Sequence, residues 1–283
     1  MTDSEPKDPR LSWRSLSQAE RDTAYDNNKA VANSPALIVA RNEASARFRA
    51  AHTDALDVPY GDRERTKIDL YPASDPSTPC LVFIHGGYWQ RNSRDLFAML
   101  AEGMAAHGWS VAIPGYSLAP EATLTDIVRE ISLALDWLAA EGPARGIAGP
   151  VVLSGWSAGA HLTALALSHP LVTAGLAISG VYDLAPIRDT ALNVALKLTD
   201  QEVAELSPLR LPIVHKPLAI AYGSAELPAL VWDSRNFYAA RKAAGAPGDL
   251  VAIDSADHFT ILEQLRRPDG ALTRLALSLV KRS

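Results

Sequence analysis

The sequence predicts an α/β chain with a mainly parallel central sheet, helices on both faces and a small helical cap. Three observations predict it. From Lys67 onward, short apolar runs alternate with stretches of helical spacing, the trace that right-handed βαβ crossovers leave in a sequence. Residues 146–182 contain no Asp, Glu, Lys or Arg, as suits parallel strands covered on both faces. The chain has 283 residues, 48% hydrophobic and 21% charged, ordinary soluble proportions at a length that supports a large core.

Each element has its own reason. Residues 15–53 are amphipathic and rich in Ala, Arg, Glu and Asp; they predict a helical N-terminal arm (1–56) that packs on the remainder or forms part of a lid. Residues 66–71 alternate as a half-buried strand does. Cys80–Ile84 is an apolar strand, and 95–107 places Leu96, Phe97, Leu100 and Met104 at helical spacing. Strand 110–113, helix 124–140, strand 151–153, helix 158–167 and strand 174–178 follow. Residues 184–211 interrupt the alternation with Leu/Ala-rich helical sequence, read as a cap inserted over the carboxyl edge of the sheet. Strand 217–222, a helix near 233–244, strand Leu250–Ile253 and helix Ala271–Val280 complete one domain over 1–283.

Composition removes several classes of function. Lys and Arg number 27 against 32 Asp and Glu, a net charge of −5, the wrong sign for a phosphate-binding surface. The single cysteine, Cys80, makes no internal disulfide, and the seven histidines form neither an HExxH pair nor a zinc cluster. No metal and no cofactor is expected. The first 14 residues are polar and charged, with no signal-peptide core. The uncharged segment 146–182 is broken by Gly149-Pro150, Gly155, Gly159 and Pro170, so it does not read as a membrane span. The expectation is a cytoplasmic protein with a small-molecule substrate, no nucleic acid and no membrane partner. A homodimer is left open.

Chemistry concentrates at the carboxyl ends of the strands. Gly155-Trp156-Ser157-Ala158-Gly159 lies between a strand and a helix. Glycines there relieve Cβ clashes in a tight strand-to-helix turn, holding a serine with its Oγ exposed beside a helix N-terminus. An ordinary Gly/Ser-rich turn is the bland alternative. His85-Gly86-Gly87-Tyr88-Trp89 ends the 80–84 strand. Its N–H groups at Gly86, Gly87 and Tyr88, with that of Ala158, would form an oxyanion hole. His85 reads as a structural hydrogen-bonding residue, and His161, one turn after Ser157, as a packed one. His107, His169 and His215 read as surface residues. His258 is the histidine beyond the final strand, which places it at the carboxyl edge as a general base. Glu226 follows the 217–222 strand, and the order Ser157…Glu226…His258 suits a triad. Asp233, Asp254 and Asp257 compete with Glu226 for the acid role.

Together these segments resemble the α/β-hydrolase superfamily and, within it, the kynurenine formamidase (arylformamidase) family. His85-Gly-Gly-Tyr-Trp89 matches the family's HGGxW loop, and Tyr116-Ser-Leu-Ala-Pro-Glu121 its next connection. Gly155-Trp-Ser-Ala-Gly-Ala-His-Leu162 is similar to its nucleophile elbow, Ser179-Gly-Val-Tyr-Asp183 to the strand end after it, and Asp257-His258-Phe259 to its histidine loop. The family pattern has Asp where this chain has Glu226. The resemblance implies an acyl-enzyme mechanism on an aryl formamide such as N-formylkynurenine. Carboxylester hydrolysis is the first alternative, and a non-catalytic hydrolase-fold binding protein the second. Tyr88, Trp89, Trp156 and Phe259 are expected to wall an aromatic leaving group, with Trp232 read as core packing. Arg91 is a candidate partner for a substrate carboxylate, with a solvated surface arginine as the preferred reading.

Overall fold

A computed structural model describes residues 13–280. The arm opens with three helices: α1 (Gln18–Ala24), α2 (Asn27–Ala30) and α3 (Ser34–Ala51). Ser17 and Glu20 form a reciprocal capping box on α1, and the Asp26 side chain caps α2 by accepting from Lys29 N–H. Such caps satisfy amides that a helix start leaves without partners. The part of the expected arm before Trp13 lies outside the described residues.

The strands are β1 (Val58–Pro59), β2 (Lys67–Tyr71), β3 (Cys80–Ile84), β4 (Ser110–Pro114), β5 (Val151–Trp156), β6 (Val172–Ile178), β7 (Leu218–Gly223) and β8 (Leu250–Ile253). They form one eight-stranded sheet in the order β1-β2-β4-β3-β5-β6-β7-β8. β1 and β2 pair antiparallel with their neighbours, and all pairings from β4–β3 through β7–β8 are parallel. Every residue of β3, β4, β5 and β7 is buried, which explains why these strands read as unbroken apolar runs.

Seven of the remaining helices are α4 (Ala101–Ala105), α5 (Leu124–Glu141), α6 (Ala158–Ala166), α7 (Leu184–Arg188), α8 (Asn193–Leu196), α9 (Asp200–Glu205) and α10 (Pro228–Ala243). The last two are α11 (Glu263–Arg266) and α12 (Ala271–Val280). Two apolar cores lie against the sheet. One gathers α5, α6 and α10 with the cap helices, and the other α4 and α12 with the 94–100 turn. α5 buries Leu124, Ile127, Ile131, Ala134, Leu135 and Leu138, one face of a period near 3.6 residues.

Several boundaries differ from the sequence reading. The expected 95–107 helix is 3-10 over Arg94–Leu100 before it becomes α4. α10 begins at Pro228, and β5 runs on to Trp156. β1 and α11 carried no sequence signal. Residues 184–211 contain α7, α8, α9 and a 3-10 turn, and they are tied to the N-terminal helices. Trp13 Nε1 donates to Asp189 Oδ2 (3.0 Å), Gln18 Nε2 to Asp189 O (3.0 Å), and Ala191 N–H to Asp22 Oδ1 (2.7 Å). Among the described residues no helix is long and apolar enough to cross a membrane.

Candidate active site

β5 ends at Trp156 and α6 begins at Ala158, so Ser157 occupies the turn alone, at φ 58° and ψ −118°. A non-glycine residue resists that backbone region, and the surrounding contacts must hold it there. They do so from both sides. Ser157 N–H donates to Ile178 O on β6 (2.8 Å). A Cβ on Gly155 would lie 2.2 Å from Gly159 O, and one on Gly159 2.0 Å from Ile84 O. The two glycines therefore allow strand, turn and helix to close on one another, the requirement inferred from the pentapeptide.

The loop after β3 presses on this turn. A Cβ at Gly86 would meet Trp156 O at 2.6 Å and Ser157 Cβ at 2.9 Å. Gly87 (φ 122°), Tyr88 (φ 50°) and Trp89 (φ 58°) follow in succession on the positive side of φ, which turns consecutive amides toward a common side. Among the described residues, the N–H groups of Gly87, Tyr88 and Ala158 donate to no protein acceptor. Asn92, itself at φ 72°, fastens the loop: its Nδ2 donates to Gly86 O (3.0 Å), and Arg65 Nη2 donates to its carbonyl oxygen. The Tyr88 hydroxyl donates to Tyr25 O (2.7 Å) and accepts from Asn27 Nδ2 (3.1 Å), joining the loop to the arm. Burial raises the phenol pKa, with the Asn27 hydrogen bond opposing.

His258 follows β8 on the 254–259 loop. Its backbone oxygen accepts from Trp156 Nε1 (2.9 Å), and its ring lies 4.7 Å from the Trp156 ring. Its side chain is nearly inaccessible, and Nδ1 stands 3.8 Å from Glu226 Oε2. These two atoms are both buried and both lack a hydrogen-bond partner, so each is the complement of the other. At 3.8 Å the contact is longer than a hydrogen bond. Glu226 Oε1 is committed elsewhere, accepting from the Ser179 hydroxyl and from Gly223 N–H (3.2 Å). Those two donors fix the carboxylate plane and leave Oε2 turned to the imidazole. Ser179, at φ 54°, was missed as a supporting residue, although its segment stood among those resembling the family.

The competing acids have other work. Asp257 Oδ1 accepts from Phe259 N–H and Thr260 N–H, both at 2.8 Å. Asp254 is exposed beside Ser224. Asp233 is buried on α10, where Oδ2 accepts from Tyr182 N–H (3.4 Å). His85 is fully buried, with Nδ1 3.0 Å from Gly86 O and its ring 4.2 Å from Tyr116. Burial brings its pKa down to about 3. His161 is buried too; Nε2 contacts Leu206 O (2.6 Å), and burial lowers its pKa to about 4. Both rings are neutral framework groups at neutral pH. His107 and His215 are exposed, whereas His169 is half-buried and contacts Asp136 Oδ1 (3.0 Å).

Ser157 and His258 open onto one cavity of about 1060 Å³, walled by the arm, by Gly87, Tyr88, Gln90, Arg91 and Asn92, and by Thr190, Ala191 and Leu192. Tyr88, Arg91, Trp156 and Phe259, four of the candidate residues expected to meet a substrate, line it. Trp89 does not, which corrects that expectation: its side chain is wholly buried, edge-on to His161 at 4.9 Å. Successive positive φ values at Tyr88 and Trp89 send neighbouring side chains in different directions, and nothing in the HGGxW string reveals that. Trp232 is half-buried and lines a separate apolar hollow with Trp13 and Tyr25, not the sealed core expected for it. Arg41 and Asn27, on the arm, also line the main cavity; helical spacing alone gave them no functional signal.

Known proteins bear on this arrangement. The BD-FAE family model matches residues 68–170, from β2 to just past α6. A Silicibacter crystal structure, provisionally described as a thioesterase, superposes with a TM-score of 0.83 at 28% identity, covering 91% of this chain and 99% of that one. The kynurenine formamidase of Salmo salar is 30% identical over 87% of this chain and 88% of its own length. That of Danio rerio is 31% identical over 96% of this chain and 99% of its own. With elbow, sheet order and nearly full-length similarity in agreement, the chain belongs to the kynurenine formamidase family of α/β-hydrolase enzymes.

Proposed function

We propose that this protein hydrolyses an aryl formamide such as N-formylkynurenine through a formyl-enzyme. His258 takes the Ser157 hydroxyl proton as Oγ bonds to the formyl carbon. The carbonyl electrons move onto oxygen, which is met by the N–H groups of Gly87, Tyr88 and Ala158, with Gly86 giving them their close approach. Glu226 orients the imidazole through Nδ1 and stabilises its cationic form. The C–N bond breaks as His258 returns the proton to the departing aniline nitrogen. Water, deprotonated by His258, then attacks the formyl-serine; the tetrahedral intermediate collapses as His258 returns that proton to the departing Oγ, and formic acid leaves and ionises to formate.

One observation carries the reading: Ser157 and His258 share a cavity rimmed by uncommitted amide donors, with the buried Glu226 carboxylate behind the imidazole. Tyr88, Trp156 and Phe259 supply flat surfaces for an aryl leaving group. The substrate is carried over from the kynurenine formamidases named above. In the same reading arm and cap are decorations of one domain, and the enzyme works in the cytoplasm, where the lone buried Cys80 needs no oxidised partner.

The test compares kcat/KM for N-formylkynurenine with that for p-nitrophenyl acetate. A clear preference for the formamide is expected. A large preference for the ester replaces this reading with carboxylester hydrolysis.

A further inference from the structure

The cavity is lined by three cations, Lys29, Arg41 and Arg91, and they are not equivalent. Lys29 and Arg91 are exposed, where water screens their charge. Arg41, near the middle of α3, is only 7% exposed. Its Nε and Nη2 donate to Asn42 Oδ1 (3.1 and 2.9 Å), and Nη2 also lies 3.5 Å from Asn92 Oδ1. Its Cζ stands 4.3 Å from the centre of the Phe97 ring. Among the described residues no carboxylate pairs with Arg41, and its Nη1 donates to no protein acceptor. A buried cation met only by neutral amides and an aromatic face is costly unless an anion completes its surroundings. Consistent with this, burial lowers the pKa of the guanidinium to about 10.

We infer that Arg41 is the seat for a substrate carboxylate, and that it, not the exposed Arg91, selects an amino-acid-bearing aryl formamide over a neutral one. The inference rests on the formamidase reading and deepens it. Arg41 also adjoins the reaction centre through protein contacts. Asn92, which its Nη2 approaches, donates to Gly86 O, and Phe97, on which it rests, lies 5.8 Å from Trp156 beside the nucleophile. A planar guanidinium fixed by Asn42 and by an aromatic ring holds its remaining Nη1 donor in place for a charge-assisted hydrogen bond to a carboxylate, which a hydrated surface cation does not.

The experiment compares wild type with Arg41→Gln, Arg41→Lys and Arg91→Gln on N-formylkynurenine and on formanilide, which has the same reacting group but no carboxylate. Arg41→Gln should lose about 10-fold to 100-fold in kcat/KM on N-formylkynurenine, as expected for a missing charge-assisted hydrogen bond. Most of that loss should appear in KM, with a far smaller change on formanilide. Arg41→Lys should recover part of it. Thermal unfolding of each variant separates loss of recognition from loss of fold. Equal losses on both substrates would make Arg41 a support for the loop and overturn the inference. No loss at Arg41, or a selective loss at Arg91→Gln instead, would overturn it as well. If wild type turns over neither formamide, the formamidase reading falls and this inference falls with it.

Discussion

The two sides of the cavity are built differently. On the sheet side, β3, β5 and β6 bring Gly86, Ser157 and Ser179 together through parallel ladders and glycine contacts that leave no room for a methyl group. On the arm side, short helices meet the cap through side-chain hydrogen bonds such as Trp13 to Asp189, near the molecular surface. The first side fixes the atoms to which the proposed reaction assigns bond exchange. The second offers polar and charged groups that differ mainly in their exposure. Under the proposed reaction, the difference assigns reaction type and substrate choice to separate parts of the chain, so they should respond to separate substitutions.

The largest expected effect tests the sheet side. Ser157→Ala should lower kcat by roughly a million-fold, the scale seen when a triad nucleophile is removed, with the unfolding midpoint unchanged. Substantial residual turnover would take the reaction away from this serine. Next comes Glu226→Ala, where kcat should fall roughly 10,000-fold, since the base remains but loses its orienting partner. A silent Glu226→Ala with a severe Asp254→Ala would reassign the acid.

A third prediction concerns stability on the sheet side. Unfolded, the rings of His85 and His161 take up protons as the pH falls through about 6.5. Folded, they resist until about 3 and about 4. The unfolded chain therefore binds more protons between those limits, so stability is full above about pH 6.5 and is lost as the pH falls toward about 4. At about pH 5 the cost is about 2 kcal/mol for His161 alone. Urea midpoints at neutral pH and at about pH 5 measure this loss, and His161→Gln should flatten the slope. An unchanged slope would mean that the ring is not held neutral.

The smallest effect belongs to the arm side. Tyr88→Phe removes the hydroxyl that joins Tyr25 and Asn27 and should raise KM by about 3-fold to 10-fold, the scale of one neutral hydrogen bond. A much larger loss, felt in turnover and not in KM, would show that the arm takes part in the chemical step, and the division between the two sides would fail.

How much was legible in the sequence follows the same division. β3, β5, β6 and β7 were readable because strands buried on both faces must be apolar throughout, and the elbow because a tight strand-to-helix turn demands glycine. Ser157, Glu226 and His258 could be named because each follows a recognisable strand. β1, two residues long, shows no period at all. The 94–100 segment was read as α-helix because three- and four-residue apolar spacing does not separate a 3-10 turn from an α-turn. Arg41 lay hidden in an amphipathic helix, where its burial depends on the 94–100 turn packed against it. Trp89 was misjudged because sequence adjacency to the loop says nothing about where its ring turns.

The paired glycines of the elbow carry a last consequence. Gly155 faces Gly159, and Gly159 faces the end of β3, at distances that admit hydrogen alone. Any mutation that adds carbon at either position must move the backbone that carries Ser157. The arm and residues 184–211 contain no glycine, so no position there is closed to a side chain in the same way. Tolerance to substitution is thus expected to divide along the same line, with a fixed anvil beneath more variable jaws.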